Sequence, residues 1–220
     1  MMFSNPTTAN LNDFASFVYD NGVSGAQLPF GTLSGVSIDT SGNLTATDYT
    51  GTVAVGMVLA GTGLSGNIYL TSFDSTNLTG TVNPPPQTAI SNLASVNVWS
   101  AYLAWSFTQA MGTILDNPPG LTVMIWILAA YNLGMHFLIR IAQDVSGQTF
   151  FQDLRTTFKI GSFAAGVIAN ASDEGTSAAL VVPEAFKRLS LGNIEHLKTP
   201  YGRQYLSFIQ QYGPTIVGVS

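Results

Sequence analysis

Ser34-Gly35-Val36-Ser37-Ile38-Asp39-Thr40-Ser41-Gly42-Asn43-Leu44-Thr45-Ala46-Thr47-Asp48 decides how this chain is read, because it holds two β-prone runs on either side of a turn. Residues 34–39 and 44–48 are candidate strands, and Ser41-Gly42-Asn43 closes them into a hairpin, since Gly and Asn tolerate the backbone angles of a tight turn. The same texture extends from Asn21 to about Ser95, rich in Gly, Ser, Thr and Asn, with further candidate strands at 57–60, 67–73 and 77–82. Pro84-Pro85-Pro86 then gives the block a stiff exit.

Helical character flanks this block. Residues 10–20 predict a short helix, with Asn10 or Asn12 as cap and Phe14, Phe17 and Val18 at i, i+3 and i+4. Residues 98–115 predict a second helix, carrying Trp99, Tyr102, Leu103, Trp105, Phe107 and Met111. Asn117-Pro118-Pro119-Gly120 breaks it, and a third helix runs over 121–143. Short helices are expected at 150–158 and 183–191, then a turn at 193–198. Thr199 is a suitable N-cap for the last helix, Pro200 sits at its first position, and Gly213-Pro214 stops it after Tyr212. The tail 215–220 is apolar, β-branched and reads as extended. The expected fold class is α+β: an α-helical bundle domain (1–20 and 96–220) interrupted by a small all-β inserted domain (21–95).

Charge divides the chain sharply. All seven basic residues lie between Arg140 and Arg203, so the first 139 residues carry −6 and the remainder +1. The front part cannot attract phosphates, because cationic side chains supply most of that affinity. Charged residues are 9 % of the whole, against about 25 % in ordinary soluble proteins. Thr, Ser, Asn, Gln and Gly stand in their place, a surface that suits close contact within an assembly, where a buried charge is costly unless paired. The absence of cysteine excludes disulfides, thiolate catalysis and zinc–sulfur sites. Met1-Met2-Phe3-Ser4-Asn5-Pro6 lacks the basic and apolar regions of a signal peptide.

Each chemical motif has a plainer reading. Residues 121–139 carry no formal charge and would span about 28 Å as a helix, close to bilayer thickness. Asn132, His136, Arg140 and Gln143 nevertheless form one polar stripe on that helix, which suits a buried bundle helix with one wet or intersubunit edge rather than a membrane span. Gly61-Thr62-Gly63-Leu64-Ser65-Gly66 matches a dinucleotide fingerprint by letter, but Asn67-Ile68-Tyr69-Leu70 after it reads as a strand, where the motif needs a helix start. His136 and His196 are far apart in sequence, and neither belongs to a metal-spaced cluster. Asp173-Glu174 sits in a polar segment read as a solvated turn, and Lys187, Arg188, Lys198 and Arg203 as a weak basic face or as partners in an intersubunit salt bridge. No Gly-x-Ser-x-Gly or His-Glu-x-x-His motif occurs. No catalytic, cofactor-binding or metal site is expected, and an enzyme is not.

A resemblance enters between residues 131 and 212. Its markers are Tyr131-Asn132-Leu133-Gly134, Ile141-Ala142-Gln143-Asp144, Asp153-Leu154-Arg155-Thr156-Thr157-Phe158-Lys159-Ile160, Ala171-Ser172-Asp173-Glu174-Gly175-Thr176-Ser177, Val182-Pro183-Glu184 and Leu197-Lys198-Thr199-Pro200-Tyr201-Gly202-Arg203-Gln204-Tyr205-Leu206. Together they resemble the head-to-tail adaptors (connectors) encoded among the head and neck genes of tailed bacteriophages. Residues 51–63 resemble a module that recurs in phage virion proteins. The resemblance implies a structural virion protein at the neck. It would form a homo-oligomeric ring, dodecameric by expectation, between the portal protein and a tail or nozzle protein, with DNA passing through the lumen unbound and no membrane involved. The alternatives are a head decoration or minor capsid protein and a membrane-associated phage protein. Expected subunit or portal contacts are Trp99, Trp105, Asn132, His136, Arg140 and Arg203, together with Thr215, Ile216, Val217 and Val219 of the tail. The abrupt stop at Gly213-Pro214 followed by Ile216 and Val217 suggests that this tail adds a strand to the portal. Truncation after Tyr212 is then expected to abolish portal binding in a pull-down while leaving circular dichroism unchanged; undiminished binding overturns the idea.

Overall fold

The computed structural model describes residues 8–114, 122–161, 170–173, 176–179 and 191–212. Seven strands follow the first helix, α1 (Leu11–Asp20). They are β1 (Phe30–Ile38), β2 (Asn43–Thr45), β3 (Asp48–Gly51), β4 (Val58–Ala60), β5 (Ile68–Asp74), β6 (Thr79–Asn83) and β7 (Ile90–Trp99). β1 pairs with β7 on one side and with β2 on the other, and β2 leads through β6, β5 and β4 back to β7. The ring is therefore a closed barrel of six strands, antiparallel throughout, with β3 lying on β1 outside it. Closure leaves the ring no open edge. Its interior is one apolar cluster that includes Leu33, Val36, Ile38, Leu44, Leu59, Ile68, Leu70, Val82, Val96 and Val98.

Bending six short strands into so tight a ring needs local irregularities, and two register shifts supply them. One lies between β1 and β7, where Val36 faces Leu93 but Ile38 faces Ile90; Asn92, in the extra segment of β7, adopts φ of +50°. The other lies between Leu70 and Ser72 on β5, opposite Val82 and Thr81. Bulges of this kind increase local twist and turn a strand around a barrel.

The barrel overturns the expectation of an α-helical bundle interrupted by a small inserted β domain. The molecule is a mixed α/β protein in which a closed six-stranded antiparallel barrel forms the core, accompanied by six helices among the described residues. The difference lies in β7. Its composition, Ile90-Ser91-Asn92-Leu93-Ala94-Ser95-Val96-Asn97-Val98-Trp99, is weak in strand formers at the start, and its aromatic end reads as the opening of a helix. Val96 and Val98 instead point into the barrel on a period of two, while Asn97 between them lies outside. Without β7, which joins β1 to β4, the remaining strands would make an open sheet.

Five further helices complete the fold: α2 (Ala101–Thr113), α3 (Val123–Ile141), α4 (Phe150–Thr157), α5 (Leu191–His196) and α6 (Pro200–Tyr212). A separate hairpin pairs β8 (Asn170–Asp173) with β9 (Thr176–Ala179), where a loop was expected. The expected segments at 117–120 and 183–190, and the tail with Thr215, Ile216, Val217 and Val219, lie outside the described residues. α3 is the axis of the helical layer, with α2 and α6 packed along it. Thr122 caps its start, accepting from the Ile125 N–H at 3.4 Å. It is the one described helix long and apolar enough to span a bilayer, yet 67 % of its most apolar window is buried within the protein, as a core helix requires.

α1 ties the two parts together. Asn12 Oδ1 accepts from Trp99 Nε1 at 2.7 Å and from Asn97 Nδ2 at 3.2 Å, so one side chain on α1 holds the last turn of β7. The fully buried Trp99 ring lies 5.9 Å from Tyr19 and 5.6 Å from Phe30. On its other side α1 meets α3: Tyr131 Oη accepts from the Asn10 N–H at 3.1 Å and donates to the Asn10 carbonyl at 3.2 Å. Phe14 packs where a Cβ on Gly134 would stand only 2.7 Å from its ring, so the crossing of α1 over α3 requires glycine there. Asn12→Ala should leave the buried indole N–H unpaired and cost about 1–3 kcal/mol, read as a lower urea midpoint followed by tryptophan fluorescence. An unchanged midpoint would show that the Asn12 bonds contribute nothing to holding α1 on the barrel.

Candidate functional site

The polar stripe on α3 runs from buried to exposed along the helix. Asn132 is buried, and its Nδ2 donates to the Leu128 carbonyl at 2.8 Å, which satisfies it within its own helix. His136 is fully buried, with Nδ1 2.8 Å from Thr199 Oγ1. Arg140 and Gln143 are exposed. The first half of the expected contact edge is thus an internal joint, covered by α6.

Local sequence explains why α6 sits there. Thr199 Oγ1 accepts from the Gly202 N–H at 2.9 Å, the N-cap bond that starts α6. Gly202 is required because a Cβ there would collide with the His196 carbonyl oxygen and stand 3.0 Å from His136 Nδ1. Arg203, exposed, donates to the Leu197 carbonyl at 2.9 Å and so closes the same turn. At the C-terminal end of α3, Arg155 Nη1 donates to the carbonyls of Ile139 (3.2 Å) and Ala142 (2.6 Å). Asp144, 3.7 Å from Arg155 Nη2, accepts from the N–H groups of Phe151 and Gln152 at the start of α4. These bonds lock α4 against the end of α3, where a cation also meets the negative end of the helix dipole.

The same turn brings the two histidines together, although 60 residues separate them. Their rings stand edge-to-face with centroids 5.0 Å apart, among Phe137 and Tyr205. Burial pushes the His136 pKa down to about 3, helped by His196 and the charges of Arg140 and Lys198. Burial and Arg140 also lower His196, with Glu195 opposing. Nothing in the sequence spacing signals this pairing; only the cap at Thr199 and the glycine at 202 hint that the chain reverses there.

Of the expected aromatic anchors, Trp99 is consumed by the core and Trp105 is left outside. Trp105 is 49 % exposed and stands edge-on to Tyr102 at 5.5 Å. It shares a face of α2 with the exposed Thr108, Gln109, Gly112 and Thr113, and the whole 13-residue helix has no charged side chain. Val123 and Met124, on the first turn of α3, are 45 % and 44 % exposed. Between Ser75 and Ile139 the only formal charge is Asp116. α2 and the first turn of α3 therefore present uncharged, partly aromatic surface, which is cheap to desolvate and is the residue chemistry of contact centres.

Among the described residues, no group of three or more His, Asp or Glu gathers at metal-binding distance. The glycine run 61–66 leads into β5, as its strand-like sequel predicts, so a strand and not a helix follows the glycines. Gly61 and Gly66 line a recess with the start of α1 at Asn10, Leu11 and Asn12. With Pro84, Pro85 and Pro86 the same run lines another recess, of about 630 Å³, that carries no ionisable side chain. The site residues thus fall into two groups. His136 lies in the α3–α6 joint, Arg203 closes the turn that starts α6, and Arg140 lies close enough to lower the His136 pKa, whereas Trp105 stands apart on α2. Comparison of the chain with family models, curated proteins and solved structures returns no match.

Proposed function

We propose that this protein is a structural subunit of a tailed-bacteriophage virion, a head-to-tail adaptor. Copies would assemble into a closed ring beneath the portal, join capsid to tail and let DNA pass. The observation that carries this reading is the uncharged face of α2 and the start of α3, with Trp105 half exposed at its centre. A monomer in water gains nothing from such a face, whereas a ring of identical subunits buries it once per contact. The residues that carry the adaptor resemblance add support, because they hold the helical unit together. Tyr131 and Gly134 seat α1, Asp144 and Arg155 lock α4, and Thr199 and Gly202 set α6.

The role is mechanical. One face of the ring docks on the portal and the other receives a tail or nozzle protein. The barrel, from Phe30 to Trp99, has no Lys or Arg and exposes Asp39, Asp48 and Asp74, so it does not hold a phosphate backbone. Its closed core makes it a spacer or wall element attached through α1. A decoration protein would use the barrel as its binding module instead, and stoichiometry separates the two readings.

Quantitative mass spectrometry of purified particles is expected to give about one copy per portal subunit, as ring symmetry at a neck requires. A count matching the major capsid protein would favour decoration, and absence from the particle would reject both. Trp105→Glu is expected to convert the assembled form to monomer in sedimentation velocity, with far-ultraviolet circular dichroism unchanged. Retention of the oligomer in that variant removes α2 from the interface.

A further inference from the structure

The contact between His136 and His196 is built from groups that suit the neutral state of both rings. Their centroids are 5.0 Å apart, with Phe137 5.6 Å from His136 and Tyr205 5.4 Å from His196. His136 Nδ1 faces Thr199 Oγ1, but His136 Nε2 and His196 Nδ1 are buried and meet no hydrogen-bond partner in the protein. The surrounding charges come from every element packed there. α3 contributes Arg140, α5 contributes Glu195, the following turn contributes Lys198, and α6 contributes the phenol of Tyr205. α2 adds only apolar contact through Ala110. Glu195 is the sole acid of this group, and it already lies 2.9 Å from Lys198 Nζ. A proton arriving on His136 would therefore meet burial, the second imidazole and the charges of Arg140 and Lys198; one arriving on His196 would meet burial and Arg140, with Glu195 opposing them while paired to Lys198.

We propose that His136 and His196 form a proton-operated latch: while both rings are neutral they seal α5 and α6 onto α3, and protonation releases α5–α6 while the barrel stays closed. Besides the histidine contact, this segment is held by apolar packing of Tyr201, Tyr205 and Phe208 and by hydrogen bonds to the rest of the protein. Among those bonds are Lys198 Nζ to the Ile160 carbonyl at 3.3 Å and Tyr201 Oη to the Asn21 carbonyl at 3.4 Å. The chain has only these two histidines, so the barrel contains no group that titrates near neutral pH. Opening would uncover Leu133 and Phe137, which pack with Tyr205 in the closed form.

The sign of the effect follows from the depressed pKa values of both rings in the closed form. The open form, with ordinary histidine values of about 6.5, binds the proton at higher pH. Closure is thus fully favourable above about pH 6.5 and weakens as pH falls below it, by up to about tenfold per pH unit for one proton.

Amide hydrogen exchange from pH 8 to 4.5, corrected for intrinsic rates, tests this on the full chain. Protection across residues 200–212 is expected to fall by up to about tenfold per pH unit below about pH 6, with the barrel strands unchanged. The double variant His136→Gln, His196→Phe keeps a partner for Thr199 and an aromatic ring against Tyr205, and should flatten the profile. Equal pH dependence in barrel and α6, or wild-type steepness in the double variant, overturns the latch. Should that variant lack a native near-ultraviolet spectrum at pH 8, nuclear magnetic resonance titration of the wild-type imidazoles decides. A His136 midpoint below about 6 supports the latch, and one at the ordinary value of about 6.5 rejects it.

Discussion

One side-chain oxygen carries the junction on which this molecule depends. Asn12 Oδ1 receives both Trp99 Nε1 and Asn97 Nδ2, so α1 is pinned to the strand that closes the barrel. Trp99 can be fully buried only because its N–H is paired there, since an unpaired buried donor costs roughly as much as a hydrogen bond stabilises, or more. The opposite face of the same short helix is fixed to α3 by Tyr131, whose hydroxyl both donates to and accepts from Asn10, and by Phe14 over Gly134. α1 therefore belongs to both parts of the fold and sets their relative position.

Closure and charge then work in the same direction. A six-membered ring of strands removes the open edges that a sheet so poor in charge would otherwise expose to pairing with other chains. The barrel needs no cations to keep its edges apart. Its surface can stay polar and uncharged, with a few aspartates spent on local turns: Asp39 and Asp74 accept from the N–H and side-chain groups of their own hairpins, which holds both carboxyls below the usual range. The helical layer follows a different economy. Its cations are used at chain ends and turns, Arg155 on the last carbonyls of α3 and Arg203 on the turn before α6, while α2 is left with no charge and a half-exposed tryptophan. That contrast is what makes α2 the surface to examine for contact between copies.

The same turn that starts α6 also makes the histidine joint. Thr199 is at once the N-cap of α6 and the partner of His136, and Gly202 admits the His196 carbonyl where any side chain would collide. Helix start, glycine and histidine contact are thus one structural unit, so the position of α6 on α3 depends on groups whose protonation state matters. An apolar residue at position 136 or 196 would pack there without any such dependence.

Local chemistry along the chain was sufficient for much of this. The β-prone runs between Gly, Asn and Ser turns marked most of the strands, the cap at Asn10 and the Thr199-Pro200 start placed two helices, and the stripe on α3 argued for a core helix rather than a membrane span. The uncharged character of α2 and the location of every cation were equally plain, because composition does not depend on folding. Three features needed the tertiary structure. β7 is a poor strand by composition and is made one by pairing on both sides, with β1 and β4, and that pairing turns a supposed insert into a closed barrel. Trp99 and Trp105 look alike in sequence, but register buries the first at the end of β7 and the turn of α2 leaves the second outside. His136 and His196 meet only because α6 folds back along α3. Propensity and capping act over a few residues and can be read in order, whereas strand closure and the meeting of distant side chains are set by which faces remain to be buried once those local elements exist.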